Sequence, residues 1–297
     1  LWGDLAYQTA LVEEIEEQGM NAVAVFTHGA ADPELKAPGL AEAMDAYFYD
    51  EGKPTIDVLI NTIKFSLTCT RAIDLKSLEQ LNVPVLQVYT LLRPREEWKN
   101  CLEGMMAMEI AVSVTMPEFD GIIHSTPVAG REYQPDGNAV YLPLAERIKM
   151  VARKAKKWAK LRCIANSEKK IGIIFHNYPP TNANIGGAAG LDSIESIRLL
   201  LAEMMERGYQ VDRIPDDSQS FINELVEHAT NDRTYITDKQ IQEAEKLSEQ
   251  QYRQFFDALA EETQAQLVRD WGSPPGDVFQ YDGSLLVPGM LNGNVFI

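Results

Sequence analysis

"VPVLQVYTL", residues 83–91, decides how this chain is read. Its apolar residues run on without strict alternation, and the helical pattern "REEWKNCLEGMMAMEIAVS" (95–113) follows. A strand apolar on both sides belongs to a sheet covered on both faces, the usual condition of parallel strands joined by helices. Working outward, "IDVLINT" (56–62) precedes a helical "AIDLKSLEQLN", and "NAVAVF" (21–26) precedes "PGLAEAMDAYFYDE". "FDGIIHSTPV" (119–128) supplies a fourth run. The alternation predicts a doubly wound α/β domain over residues 1–145.

Next comes "RIKMVARKAKKWAKLRCIANSEKK" (147–170), which holds ten of the 27 basic residues and one acid, Glu168. Ile148, Val151, Ala155 and Trp158 fall at helical spacing, so residues 146–168 read as a basic connecting helix with one apolar stripe. Its charges form either a solvated face or a docking face for an anionic partner. A second α/β unit spans 169–297, opening with "KKIGIIFHNYPP", then a helix from Asp192 to Arg207 that ends at Gly208. Residues 218–270 are mostly helical and acidic, "GSPPGD" (272–277) breaks them, and "SLLVPGMLNGNVFI" returns to strand-like residues. The expected fold is therefore α/β: parallel sheets with flanking helices in two Rossmann-like units, plus a mostly helical acidic segment.

The 297 residues carry a formal charge of −17, from 44 acidic against 27 basic side chains. Such a balance repels phosphate backbones and argues against nucleic acid as a partner. No apolar run reaches the ~18 residues that a membrane span requires. Cys69, Cys101 and Cys163 are scattered without a CxxC pair, which suits a reducing cytoplasm and excludes a cysteine-rich metal site. The chain opens on Leu1 in a helical pattern and closes on the apolar "LNGNVFI", so an internal piece of a larger protein is expected.

Chemistry concentrates in "IIFHNYPPTNANIGGAAGLDSIESI" (173–197). A phosphate-binding P-loop needs Lys and Ser or Thr after its last glycine, whereas Leu191 and Asp192 stand there. No ATP site is expected at this loop. Asp192 with Glu195 three residues later forms an Asp version of a capping box, placing a helix start at the end of a Gly-rich loop. That start can accept a ligand carboxylate, or the glycines and asparagines simply permit a tight turn. His28, His124 and His176 each follow an apolar run, which puts them at the carboxyl ends of predicted strands, where ligands bind in open parallel sheets. His228 reads as surface. Glu96, Glu97, Glu103 and Glu109 read as a solvated helix face, and Met105, Met106 and Met108 as core filler.

The block "FHNYPPTNANIGGAAGLDSIESIRLLLAEMMERGYQV" closely resembles the large subunit of cobaltochelatase and, more distantly, that of magnesium chelatase. The resemblance continues through "IPDDSQSFINELV", "WGSPPGD" and "LVPGMLNGNVFI", and more weakly upstream through "MPEFDGIIHSTPVAGRE". It implies the tetrapyrrole-binding component of a multi-subunit, ATP-dependent metal chelatase, with ATP hydrolysed by separate AAA+ partner subunits. Co²⁺ is the substrate metal that "NYPPTNANIGGAAGLD" favours, and Mg²⁺ insertion is the alternative. On this reading His176 takes up a pyrrole proton or coordinates the ion, and His124 is a second metal candidate. Asn177, Asn184, Gly186, Gly187, Asp192 and Glu195 would face the tetrapyrrole. A non-catalytic module that docks the AAA+ partners through the basic helix is the competing reading.

Overall fold

The structure, a computed structural model, describes residues 4–27, 31–34, 36–69 and 73–297. The chain is mixed α/β and divides into two compact units, Leu1–Cys163 and Ile164–Ile297. The basic helix expected as a connector over 146–168 thus belongs to the first unit.

In that unit, helices α1 (Ala6–Glu17) and α2 (Leu40–Tyr47) precede strand β1 (Leu59–Asn61). Helix α3 (Leu75–Leu81), strand β2 (Val85–Pro94), strand β3 (Ile123–Tyr133), strand β4 (Ala139–Pro143) and helix α4 (Ala145–Cys163) follow. The four strands form one sheet in the order β1-β2-β3-β4. The pairs β1–β2 and β2–β3 are parallel, while β3–β4 is antiparallel. Val85, Leu86, Gln87, Val88 and Tyr89 are all buried, as expected of a strand covered on both faces. On one side Val85 and Ile122 pack with Leu40 and Met44 of α2 and Leu78 and Leu81 of α3. On the other, Val88 and Val128 pack with Leu11 of α1 and Ile148 and Val151 of α4. Helix α3 starts at Asp74, whose side chain accepts the Ser77 N–H, and stops at Asn82 in the left-handed conformation.

Several expectations change here. "NAVAVF" forms no strand: Val25 packs against the core, but Val23 and Phe26 are exposed. An apolar run becomes a strand only where a neighbouring ladder accepts it. Strand β4 was not anticipated, because "NAVYLP" is short; the hairpin before it turns at Gly137, with φ +84°. The helix read over 95–113 is broken. Arg95–Lys99 forms a short helix, Gly104 turns with φ +69°, and helix resumes at Ala107–Ile110. Glu109 is buried rather than solvated, because its carboxylate accepts the Leu92 N–H at 2.7 Å and the Met106 N–H at 2.9 Å. Of the methionines, Met105 packs against the core and receives the Tyr89 hydroxyl at 2.9 Å, while Met106 and Met108 are exposed.

The second unit contains strand β5 (Ile171–Gly172) and helices α5 (Ser193–Glu206), α6 (Ser218–Glu227) and α7 (Asp238–Glu243). Strand β6 (Glu245–Ser248) and helices α8 (Glu249–Asp257) and α9 (Glu261–Trp271) follow. Four short strands close the chain: β7 (Gln280–Tyr281), β8 (Ser284–Val287), β9 (Leu291–Asn292) and β10 (Val295–Phe296). One sheet runs β6-β8-β7 and is antiparallel; the other runs β9-β10-β5, with β10 and β5 parallel. Among the described residues, one parallel pair thus stands where a second doubly wound sheet was expected. Its core joins Leu201 and Met204 of α5, Phe221 and Leu225 of α6, and Val295 and Ile297. No helix among the described residues is long and apolar enough to cross a membrane.

Candidate functional site

The stretch after β5 is a loop closed on itself. The Gly186 N–H donates to the His176 carbonyl at 2.8 Å, which ties residue 176 to residue 186 at the loop's base. The imidazole Nδ1 of His176 lies 3.2 Å from the Gly187 carbonyl, and the ring is exposed. With Nδ1 donating there, the lone pair is on Nε2, outside the loop's own hydrogen bonds.

Inside the loop the two asparagines hold backbone. In the orientation that satisfies both its ends, the Asn177 amide nitrogen donates to the Thr181 and Pro179 carbonyls at 2.9 and 3.2 Å. Asn184 donates to the Pro179 carbonyl at 3.1 Å and to the Thr181 hydroxyl at 2.8 Å. Their amides shape the loop before any ligand arrives. Gly186 adopts φ +74°, and an added Cβ would lie 3.2 Å from Ile194 and 3.3 Å from Phe175, so both backbone and space demand glycine. At Gly187 a Cβ would meet the Asn184 carbonyl at 3.2 Å.

The loop ends at Asp192, which caps α5 by accepting the Glu195 N–H at 3.0 Å. The reciprocal half of the expected capping box is absent. The Glu195 carboxylate instead takes two bonds from Arg198, at 2.9 and 2.6 Å, and one from the Ser218 hydroxyl at 2.7 Å. These bonds, the Arg198 pair foremost, hold the Glu195 carboxyl down at about 2. Glu195 is therefore a fixed anion joining the start of α5 to the start of α6. Asp217, which caps α6 through the Ser220 N–H, is also held below its ordinary value, chiefly by that backbone bond.

The structure gathers His176, Asn177, Asn184, Gly186, Gly187, Asp192 and Glu195 into one loop and the helix start behind it. His124 is elsewhere, in the first unit. Strand β3 begins at Ile123, so His124 stands at its amino end, with φ +58°, and not at the carboxyl edge. Its ring centroid lies 6.0 Å from that of Trp158 on α4. His228, at the end of α6, points Nδ1 toward the Glu224 carbonyl at 2.9 Å. His28 lies outside the described residues. Among the described residues, no three His, Cys, Asp or Glu side chains come together as a metal site.

Two anchors were not foreseen. Asp232 is buried and accepts the Asn182 N–H at 3.2 Å and the Thr234 N–H at 3.0 Å. Thr230, also buried, donates to the Asn182 side chain at 2.6 Å. The segment 229–232, read only as part of the mostly helical acidic stretch, thus holds the signature loop from outside. A Thr two residues ahead of an Asp is the local pattern of a side-chain turn, but nothing in it points across 50 residues to Asn182. In the first unit, buried Asp120 plays a similar part. It accepts the Ser66 hydroxyl at 2.8 Å and the Leu67 N–H and Thr68 hydroxyl at 2.5 Å, pinning residues 66–68.

The whole chain, residues 1–297, matches the family described as CobN/Magnesium Chelatase. It is 37% identical to an uncharacterized protein of Methanocaldococcus jannaschii, across 99% of this chain and 25% of that one. It is 30% identical to the aerobic cobaltochelatase subunit CobN of a Sinorhizobium species, across 97% and 22%, respectively. A solved structure, the catalytic subunit of cobaltochelatase from Mycobacterium tuberculosis, superposes with a TM-score of 0.75 at 26% identity. That superposition covers 99% of this chain and 24% of the other. The chain spans about a quarter of the length of these relatives.

Proposed function

This chain belongs to the CobN/magnesium chelatase family, and from that premise we propose that it is part of the large, tetrapyrrole-binding subunit of an ATP-dependent cobalt chelatase. The substrate would be a corrin precursor of the hydrogenobyrinic acid a,c-diamide type, in cytoplasmic cobalamin biosynthesis. ATP would be used by separate AAA+ subunits. The loop at 186–192 is consistent with that division, since Leu191 and Asp192 stand where a phosphate cradle needs a lysine and a hydroxyl residue.

The observation that carries the proposal is the preformed loop with His176 at its base and its glycines toward the helix start. Metal insertion removes N–H protons from the centre of the macrocycle and strips water from the incoming ion. An exposed imidazole whose Nε2 lies outside the loop's own hydrogen bonds suits both tasks, as proton acceptor and as transient ligand to Co²⁺. Glu195 does neither: its oxygens are held by Arg198 and Ser218, so it orders the helix start behind the loop. Asp192, exposed and bonded through one oxygen, is the carboxylate left to receive a proton or a ligand N–H.

His176→Ala in the full-length subunit is expected to lower chelation by about 100-fold or more, the scale of one lost acid–base group. Unchanged chelation together with unchanged cobalt affinity overturns the assignment. Mg²⁺ with protoporphyrin IX is the competing substrate pair, because magnesium-chelatase subunit ChlH of rice is 27% identical across 99% of this chain. Metal competition in the same assay separates the two.

A docking role has its own support. Helix α4 buries Ile148, Val151, Ala152 and Ala155, and its Lys149, Arg153, Lys157 and Lys160 have no ion-pair partner among the described residues. An acidic face of an AAA+ subunit would complement that strip, and a pull-down that is lost on Arg153→Glu with Lys157→Glu would establish it.

A further inference from the structure

A cleft of about 750 Å³ opens in the first unit between the short helix Arg95–Lys99, the turn after it and the start of α4. Arg95, Trp98, Lys99, Leu144, Glu146 and Arg147 line it. That volume lies within the range of small-molecule sites, roughly 300–1,000 Å³.

The cations in it are differently committed. Arg95 is seated on Gly130 of β3, where an added Cβ would lie 2.9 Å from the Arg95 Cβ and 3.0 Å from its Cα. Its Nε is 3.6 Å from Glu132 and 3.9 Å from Glu96. Lys99 pairs with Glu96 at 3.0 Å, on the exposed rim. Arg147 has no carboxylate within ion-pair distance among the described residues. Its guanidinium carbon sits 5.4 Å from the centre of the Trp98 ring. In a chain of net charge −17, an arginine left without an acid beside an open cleft is a position available to an external anion.

We propose that this cleft binds a planar ring compound bearing a carboxylate, with the carboxylate on the Arg147 fork and the ring against Trp98. The guanidinium matches a carboxylate through two parallel hydrogen bonds, and the indole holds that fork in one orientation. Leu144 and Trp98 provide the apolar wall that a ring system requires. Lys99 adds charge at the rim, since its pair with Glu96 is exposed and exchanges partners readily. Glu146 sets the selectivity. With Glu96 and Glu132 it balances the three cations, so a polyphosphate meets more repulsion than a single carboxylate does. The assignment does not depend on His176 or the 176–195 loop.

The test is titration of the full chain with 2-naphthoate, with protoporphyrin IX and with its dimethyl ester, followed by quenching of tryptophan emission. Arg147→Ala is expected to weaken binding of the free acids about tenfold or more and to leave the ester unchanged. Arg147→Lys, which keeps the charge but loses the fork, should fall between. Trp98→Phe should remove most of the quenching. Lys99→Gln alters an exposed side chain and should weaken the acids about twofold, which keeps the test open if Arg147 variants fold poorly. Binding of naphthoate alone makes this a small-carboxylate site and binding of the porphyrin as well makes it a tetrapyrrole site; either supports the proposal if it depends on Arg147. Equal binding by the parent and Arg147→Ala overturns it, as does displacement of the acids by ATP. His176→Ala should leave the 2-naphthoate affinity unchanged, so failure here is separable from failure of the chelation assignment.

Discussion

Replacing Asp232 with alanine removes the outside anchor of the signature loop. Asp232 is 8% exposed, and its carboxylate accepts two backbone N–H groups, from Asn182 and Thr234. A hydrogen bond to a charged partner contributes about 1.5–3 kcal/mol, and here the acceptor is buried while its two donors are partly so. Each 1.4 kcal/mol is a factor of ten, so exchange of the Asn182 amide with solvent should quicken by about 10- to 100-fold. Asp232→Asn keeps an oxygen acceptor but loses the charge, and should produce about half the effect on a logarithmic scale. Amide exchange read by NMR or mass spectrometry over residues 177–187 is the assay, with the helix α4 amides as an internal control. If Asn182 exchanges at the same rate in Asp232→Ala as in the parent, the loop is held by its internal bonds alone and the reasoning fails.

Glu195 offers a test in pH. Its carboxyl is drawn from 4.5 to about 2 by Arg198 and Ser218, so its stabilising contribution is complete above about 4.5 and is lost as pH falls through about 2. A carboxyl carbon titration that gives a midpoint near 4.5 would show that the Arg198 clamp is not formed in solution. Gly293→Ala should destabilise the second unit by about 2–4 kcal/mol in urea unfolding: φ is +67°, and the new Cβ would lie 2.5 Å from the Gln210 carbonyl oxygen. A loss under 0.5 kcal/mol would mean that the turn relaxes around the methyl group.

The sheet of the first unit was legible because burial on both faces writes itself into "VPVLQVYTL" as a run without alternation. The doubly wound second unit was inferred from the same logic, but among the described residues "IGIIF" has one short parallel partner, Val295–Phe296. His124 shows a different limit. A histidine just after an apolar run looks like the end of a strand, but here "GII" leads into a strand that starts at Ile123 and runs ten residues further. At the candidate site, glycine and asparagine marked the loop correctly as special, since positive φ and backbone-holding amides are local matters. What local pattern could not carry was the choice of partners. Glu195 turned to Arg198 and Ser218 instead of closing its box, and Asp232 reached Asn182 across 50 residues of chain. Long-range pairing depends on how the elements dock, and three-residue spacing says nothing of that.

The bond between the His176 carbonyl and the Gly186 N–H has one further consequence. Together with the Asn177, Asn184 and Asp232 bonds, it means that the segment surrenders its conformational freedom during folding and not on meeting a ligand. A ring system settling on it would order almost nothing new, so association should be quick and carry a small unfavourable entropy of ordering. Cutting any one tie would leave the chemical groups in place yet shift that entropic penalty onto the encounter, raising the dissociation constant while the rate of the bound reaction stays the same.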